Sequence, residues 1–271
     1  MAFFELFPKV EYDFNRQGVV QNMVDIFRAV RPLPTFLDNF TGYKFYEIKN
    51  GERPDIVSQR LYGTPDFYWT FFVINDFLHD GYRSWPKSAE QLEAFMNKQY
   101  NGIVIETNPD TIERNSDQLI TNHRDSLAGR FSLGETITGA TSGATGKLFR
   151  KVTDMSQLIL IDVTGTFIGN PKLINDSTEL VTGSVSTDSV STYRVFKYAD
   201  APYFYFKTGD AKQQPVTNAV HIPGGLPDSD LSFVTNRAHE FEKNEQRSKI
   251  RYVDPNFIEQ FVDEFEELLN G

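Results

Sequence analysis

The chain has 271 residues, no cysteine and a formal net charge of −10. The missing cysteines exclude disulfides, thiolate nucleophiles and Cys-ligated zinc. The acidic balance argues against a nucleic-acid binder, which sets a basic face against phosphates. The length suits one large domain or two to three small ones, and 39% hydrophobic residues with 24 Phe are enough for real cores.

No stretch of about 18 apolar residues occurs, so no transmembrane helix is expected. The opening MAFFELFPKVEYDF lacks a basic region followed by a long apolar core, so no signal peptide is read. The expectation is a soluble protein made in a cytoplasm.

Residues 1–42 read as an apolar, irregular arm. Phe3, Phe4, Leu6 and Phe7 precede Pro8, Val24, Ile26 and Phe27 lie near Arg28, and Pro32 and Pro34 interrupt the end of the arm. Such a segment cannot bury its own Phe side chains. It packs either on the rest of its chain or on a partner.

The run from Tyr43 to Pro86 reads as strand, turn, helix, tight break, second helix and return segment. A strand over 44–49 ends at the Asn50-Gly51 turn. Pro54 suits the first turn of a helix, Ile56, Val57, Arg60 and Leu61 recur at helical spacing, and Gly63 stands where a left-handed cap belongs. Thr64 is the expected N-cap of the next helix, with Pro65 first and Asp66 at the positive end. Phe67, Tyr68, Trp69, Phe71, Phe72, Val73 and Ile74 are apolar nearly all round, as in a helix buried on more than one side. Ser88-x-x-Gln91 matches a capping box and opens a third helix with Leu92, Phe95, Met96 and Tyr100 on one face. Asn101-Gly102 ends it, and 103–105 is an expected strand.

Composition shifts near Leu127. Residues 127–192 are rich in Gly, Thr and Ser and alternate in polarity, which predicts a small inserted all-β domain. Gly129-Arg-Phe131-x-x-Gly134 is weakly echoed by Gly165-Thr-Phe167-x-Gly169. Aromatic-rich sequence resumes at Tyr193, and 203–207 followed by Thr208-Gly209-Asp210 reads as strand and turn. A helix is expected over 231–247, then a strand over 249–253. Asp254 caps a final helix with Phe257, Ile258, Phe261, Val262, Phe265, Leu268 and Leu269 on an apolar stripe. Glu259, Asp263, Glu264, Glu266 and Glu267 line its other side. Acids near a helix C-terminus oppose the macrodipole, and a basic partner or plain solvation would offset that.

No catalytic, cofactor or metal residue is expected. His79, His123, His221 and His239 are scattered, without the i, i+4 pair of a zinc helix. Asp76, His79 and Asp80 supply too few fixed ligands for a tight site and read as a polar helix end. The stretch from Gly139 to Leu148 superficially resembles a phosphate loop. However, Thr141 stands where a Gly should, Leu148 follows Lys147, and the surroundings are β-like. Carboxylate pairs such as Asp110/Glu113 or Asp162/Asp176 carry no specificity.

At 43–86 the pattern Tyr-x-Ile-x-x-Gly51-x-x-Pro54-x-x-Val57-x-x-x-Leu61-Tyr62-Gly63 resembles the LysM fold, a βααβ module. The fuller set is narrower: Gly51-x-Arg53-Pro54-x-x-Val57, Leu61-Tyr62-Gly63-x-Pro65-x-x-Tyr68-Trp69, Asn75-Asp76 and Trp85. With Phe-Pro-x-x-Glu-Tyr and 24–28 near the start, and Glu242-x-Asn244-Glu245-x-x-Arg247 with 249–251 near the end, it resembles the LysM-like baseplate wedge subunit of T-even-type contractile-tail phages. The resemblance covers roughly 1–125 and 193–271, and the 127–192 insertion departs from it.

The resemblance implies an α+β chain. Its parts are an extended arm (1–42), a LysM-like module with helical flanks (43–102), a wedge-binding α+β region with an amphipathic terminal helix (103–126 and 193–271), and the inserted β-rich domain (127–192). It implies a structural virion protein of the tail baseplate, in six copies, joining other wedge subunits, the sheath-initiating subunit and neighbouring wedges. No nucleic acid or membrane is expected as a partner. Aromatics and Arg dominate interface hot spots, so the candidate contact residues are Arg53, Tyr62, Tyr68, Trp69, Arg83 and Trp85, with Phe3, Phe4 and Phe7 of the arm and Phe261 and Phe265 of the last helix. Tyr68 and Trp69 also suit the module's core, and Arg83 and Trp85 suit contact better. The alternatives are a glycan-binding LysM module of a cell-wall protein and an enzyme with an unfamiliar site.

Overall fold

The computed structural model describes residues 3–13, 16, 18–26, 42–108, 127, 129–170, 177–217, 219, 220 and 227–270. Phe27, Arg28, Pro32, Pro34, Asp110, Glu113, His123, Asp176 and His221 lie outside the described residues. In chain order the strands and helices are β1 (Lys9–Tyr12), β2 (Gln21–Val24), β3 (Tyr43–Glu47), α1 (Pro54–Tyr62), α2 (Thr70–Ile74), α3 (Ala89–Gln99), β4 (Ile103–Asn108), β5 (Thr136–Gly139), β6 (Thr145–Val152) and β7 (Gln157–Thr164). They continue as β8 (Gly169–Asn170), β9 (Ser177–Thr178), β10 (Leu180–Gly183), β11 (Ser189–Lys197), β12 (Pro202–Lys207), β13 (Leu231–Thr235), α4 (Asn236–Ser248), β14 (Lys249–Val253) and α5 (Ile258–Asn270). The chain is α+β and divides into two compact units, one from Met1–Leu92 with Glu242–Gly271, the other from Glu93–Phe241.

In the first unit, β3 pairs antiparallel with β14, from Tyr43↔Val253 to Glu47↔Lys249. This corrects the expected order within 43–86. The return segment makes a 3-10 turn at Gly81–Arg83 and then a loop. It has no alternating β-branched run, and Pro86 has no N–H for a ladder. Lys249-Ile-Arg-Tyr-Val has the alternation and supplies the second strand.

Helix α1 starts at Pro54 and stops where Gly63 turns left-handed (φ 78°) and donates its N–H to the Gln59 carbonyl, because glycine accepts that conformation without steric cost. The Thr64 hydroxyl accepts from the Asp66 N–H at 3.3 Å. The helix expected from Pro65 through Ile74 is split into a 3-10 turn at Pro65–Phe67 and the short α2. Thr70 contributes to the break, its hydroxyl donating to the Phe67 carbonyl at 2.8 Å and competing with the regular ladder. The capping box forms: the Ser88 N–H donates to Gln91 Oε1 at 3.1 Å and the Gln91 N–H to Ser88 Oγ at 3.2 Å.

The segment from Trp69 through Ile74 is buried on two sides. Phe71 packs with Ile48, Val57, Leu78, Trp85 and Ile250, and Trp69 with Leu6, Phe7, Val262, Phe265 and Leu269. The arm's first aromatics therefore pack on their own chain. Beyond them, β1 and β2 form a hairpin, from Lys9↔Val24 to Tyr12↔Gln21, that is exposed along most of its length. Ile258, Val262, Phe265 and Leu269 form the buried stripe of α5, whereas Phe257 and Leu268 are exposed.

In the second unit, six strands close a barrel in the order β10-β11-β4-β7-β6-β5. It reaches beyond the expected 127–192, taking β4 from before the insertion and the length of β11 to Lys197. Its inside is filled by Ile105, Ile137, Leu148, Leu158, Leu160, Val181 and Val190, with Leu127, Phe131 and Phe167 in the same cluster. Ile159 and Val104, which alternate with inward residues, join Tyr198 and Ala201 in a second cluster. Residues 231–235 form β13, not the start of a helix, and pair with β12. Helix begins at Asn236, whose buried side chain donates to the Tyr198 and Ala201 carbonyls at 2.8 and 3.1 Å.

Candidate functional site

The aromatic first unit is organised around Glu52. Its carboxylate accepts from Tyr46 Oη and the Lys49 N–H, each at 2.9 Å, and pairs with Arg60. Burial pushes this carboxyl up, but the hydrogen bonds from Lys49 and Tyr46 and the Arg60 charge outweigh it and hold it below its ordinary value. The Glu52 carbonyl accepts from Trp85 Nε1 at 2.7 Å, satisfying the indole N–H as its ring enters the core.

The sequence-selected residues fall into two groups. Trp69 (3% exposed), Trp85 (6%), Phe7 and Phe265 are buried. The Trp69 ring lies 4.8 Å from Phe265 and 5.2 Å from Phe3. Tyr62, Tyr68, Phe3 and Phe261 are half-buried. Tyr62 donates to the Val253 carbonyl at 3.1 Å, and burial pushes its hydroxyl well up. Arg53, Arg83 and Phe4 are exposed, and Arg53 makes a surface pair with Asp55 at 3.1 Å.

Two of the grooves on this unit are lined by the selected residues. One, of about 420 Å³, is lined by Arg53, Tyr82, Arg83, Trp85 and Lys87 among others. The other, of about 500 Å³, includes Phe4, Tyr68, Phe72, His79 and Tyr82. Tyr82, 60% exposed, lines both and was missed by sequence reasoning. Its available signal was an aromatic beside Arg83 in a segment with no strand pattern. Phe45, on β3, is 76% exposed.

Two asparagines quoted only as pattern residues join the distant parts of this unit. The Arg251 N–H donates to Asn75 Oδ1 at 2.9 Å, and Asn75 Nδ2 donates to the Arg251 and Phe71 carbonyls at 2.9 and 2.8 Å. The Lys87 N–H donates to Asn244 Oδ1 at 2.8 Å, and Asn244 Nδ2 donates to the Lys87 carbonyl at 3.1 Å. Each carboxamide thus pairs both main-chain groups of one residue, as a neighbouring strand would.

Among the described residues, no group of three or more His, Asp or Glu is placed to hold a metal, and no helix is long and apolar enough to cross a membrane. His79 Nδ1 lies 2.8 Å from the Asp76 carbonyl oxygen and Nε2 3.5 Å from Asp80 Oδ1, all at the surface. In the phosphate-loop look-alike, the N–H groups of Thr141 and Ser142 already hold an anion. They donate to Glu179 Oε2 at 3.2 and 2.9 Å.

In the second unit, buried Glu106 of β4 accepts from Arg194 Nε at 2.5 Å and from Tyr205 Oη. The Arg194 guanidinium lies 5.1–5.5 Å from the Tyr193, Phe196 and Phe233 ring centres. Burial pushes the Glu106 carboxyl up against the pull of Arg194. This group ties β4, β11 and β12 together, with Glu106 and Tyr205 buried and Arg194 half-buried.

This unit has an aromatic interior, grooves and exposed Tyr82, Arg53 and Arg83. Residues 1–118 match the family model described as base plate wedge protein 53. The chain is also 30% identical over 105 residues to the baseplate wedge protein gp53 of Enterobacteria phage T4, covering 37% of this chain and 52% of that protein. Over this first part the chain is similar to the baseplate wedge protein, and it spans about half the length of the curated relative it matches. The matched stretch holds the arm, β3, α1 and α2. Its partners β14 and α5 lie outside it.

Proposed function

We propose that this chain is a structural component of a contractile-tail phage baseplate wedge, which joins wedge subunits and neighbouring wedges during assembly. The observation that carries this is the match of residues 1–118 to the baseplate wedge family, over the stretch that builds the aromatic unit and its grooves. The role is mechanical. Apolar surface buried between subunits stabilises the assembly by roughly 25 cal/mol per Å², and Arg53, Tyr82 and Arg83 around a groove are residue types that anchor such contacts. Tyr62, Trp69 and Trp85 act by holding the surface in shape.

Partners in this reading are other wedge subunits and the sheath-initiating subunit, with six copies around the ring, in a virion tail assembled in the host cytoplasm. The order β3-α1-α2-β14 supports a LysM-like module whose last strand is supplied from the far end of the chain. In chain order the barrel strands lie between α2 and β14. The test is quantitative mass spectrometry of phage particles separated into heads and tails. The chain is expected in the tail fraction at the copy number of wedge proteins. Recovery with heads, or absence from particles, would overturn the reading.

A further inference from the structure

We infer that the barrel is an internal duplication in which residues 135–148 and 179–192 are two copies of one unit, and that the glutamate opening each copy is the clasp for the other copy's turn. The inference is independent of the baseplate reading. It absorbs both the weak repeat and the phosphate-loop look-alike seen in the sequence.

The two copies share Glu-x-(Ile/Val)-Thr-Gly-x-x-Ser: Glu135, Ile137, Thr138, Gly139 and Ser142 in the first, Glu179, Val181, Thr182, Gly183 and Ser186 in the second. Their main chains bond alike. The Gly139 N–H donates to the Ala144 carbonyl at 2.9 Å, and Gly183 to Asp188 at 2.9 Å. Leu148 donates to the Glu135 carbonyl at 2.9 Å, and Thr192 to Glu179 at 2.8 Å. Between the copies, Ala140 donates to Leu180 at 2.8 Å and Ser184 to Thr136 at 2.9 Å. Thr138 pairs with Thr182 across the β5–β10 ladder, where a local two-fold axis would pass. The strand order β10-β11-β4-β7-β6-β5 reads the same under that axis, with β5, β6 and β7 exchanging with β10, β11 and β4. Because β4 precedes both copies while β7 lies between them, one half is circularly permuted.

The clasps are reciprocal. Glu179 accepts from the Thr141 and Ser142 N–H groups and from Ser142 Oγ at 2.8 Å. Glu135 accepts from the Val185 and Ser186 N–H groups at 2.9 and 3.0 Å and from Ser186 Oγ at 3.0 Å. Each also takes an N–H from the residue after a buried Phe: Ser132 after Phe131 for Glu135, and Ile168 after Phe167, at 2.7 Å, for Glu179. These are the two Phe of the weak repeat. The glycines make room, since a Cβ on Gly139 would stand 2.5 Å from Glu179 Oε2 and one on Gly183 2.6 Å from Glu135 Oε2.

The test is amide exchange by NMR on the full chain carrying Glu179→Gln or Glu135→Gln. Glu179→Gln is expected to speed exchange at residues 141 and 142 by about tenfold or more, local opening being read amide by amide, while leaving 185 and 186 unchanged. Glu135→Gln is expected to do the reverse. Faster exchange in the variant's own turn, equal loosening of both turns, or no change in either would overturn the inference. A second variant replaces residues 184–188 with the sequence of 140–144. A cooperative melt with the barrel's far-UV spectrum is expected, and loss of that melt would count against equivalence of the copies.

Discussion

Asn75 and Arg251 are joined by two hydrogen bonds of 2.9 Å, side-chain amide to main chain in both directions. Asn75 is buried and follows α2, so this one carboxamide fixes the end of α2 to β14, whose other side is paired with β3. Replacing Asn75 by Ala removes its hydrogen bonds to the Arg251 N–H and carbonyl and to the Phe71 carbonyl. A buried unpaired polar group costs about 1–3 kcal/mol. Asn75→Ala is therefore expected to destabilise the first unit by about 2–4 kcal/mol, read as a lowered urea midpoint. Asn75→Asp is expected to be as harmful, because it removes the donor.

The matched residues 1–118 are not expected to fold alone. They lack β14 and α5, which supply Ile250, Val253, Val262, Phe265 and Leu269 to the buried clusters. A chain ending at residue 248 is expected to lose the cooperative near-UV transition of Trp69 and Trp85. Covalent continuity is not required, so a separately made 242–271 segment is expected to restore that signal.

Core and surface aromatics separate in their effects. Trp69→Ala and Trp85→Ala are expected to cost about 3–5 kcal/mol of stability, as for large-to-small core changes. Tyr82→Ala and Arg53→Glu are expected to shift stability by no more than about 0.5 kcal/mol while lowering incorporation into tails. Thermal melts and the tail-fraction yield, measured on the same four variants, check both halves.

Acid is expected to loosen the barrel through Glu135 and Glu179. Burial pushes both carboxyls up, but N–H donors from Ser186, Val185 and Ser132, and from Ile168, Ser142 and Thr141, outweigh it and hold both below the ordinary value. A lowered folded value means stability that is present above the unfolded carboxyl pKa, about 4.3, and lost as pH falls through the folded value. Glu106, pushed up by burial, acts in the opposite sense, its contribution being lost as pH rises. The Glu135→Gln, Glu179→Gln pair is expected to melt lower than the parent at neutral pH and to lose less on acidification, measured as melting temperature across pH 2 to 7.

Much of the first unit was legible because its signals are local. Pro54, Gly63, Thr64, the Ser88–Gln91 box and Asp254 each act within one turn of chain, and the structure places helix starts and stops at them. The pairing of β3 with β14 was not legible, because nothing in Tyr43–Glu47 names a partner some 200 residues away. The same distance hid the roles of Asn75 and Asn244, which depend on main-chain groups in another segment. Periodicity misread 231–235, where Leu231, Phe233 and Val234 fit a helical face as well as a strand. Among candidate contacts, the aromatic surplus drew attention to Trp69 and Trp85, which the core consumes, and away from Tyr82. The Glu135 and Glu179 repeat was present in the sequence but hidden behind the more conspicuous glycines around it.

The most direct test of the wedge assignment is a cryo-EM map of the intact tail. Density is expected at the baseplate into which the β3-α1-α2-β14 unit fits with Tyr82, Arg53 and Arg83 against a neighbouring subunit. A complete baseplate map with no density for this chain, or with that face open to solvent in every copy, would contradict it.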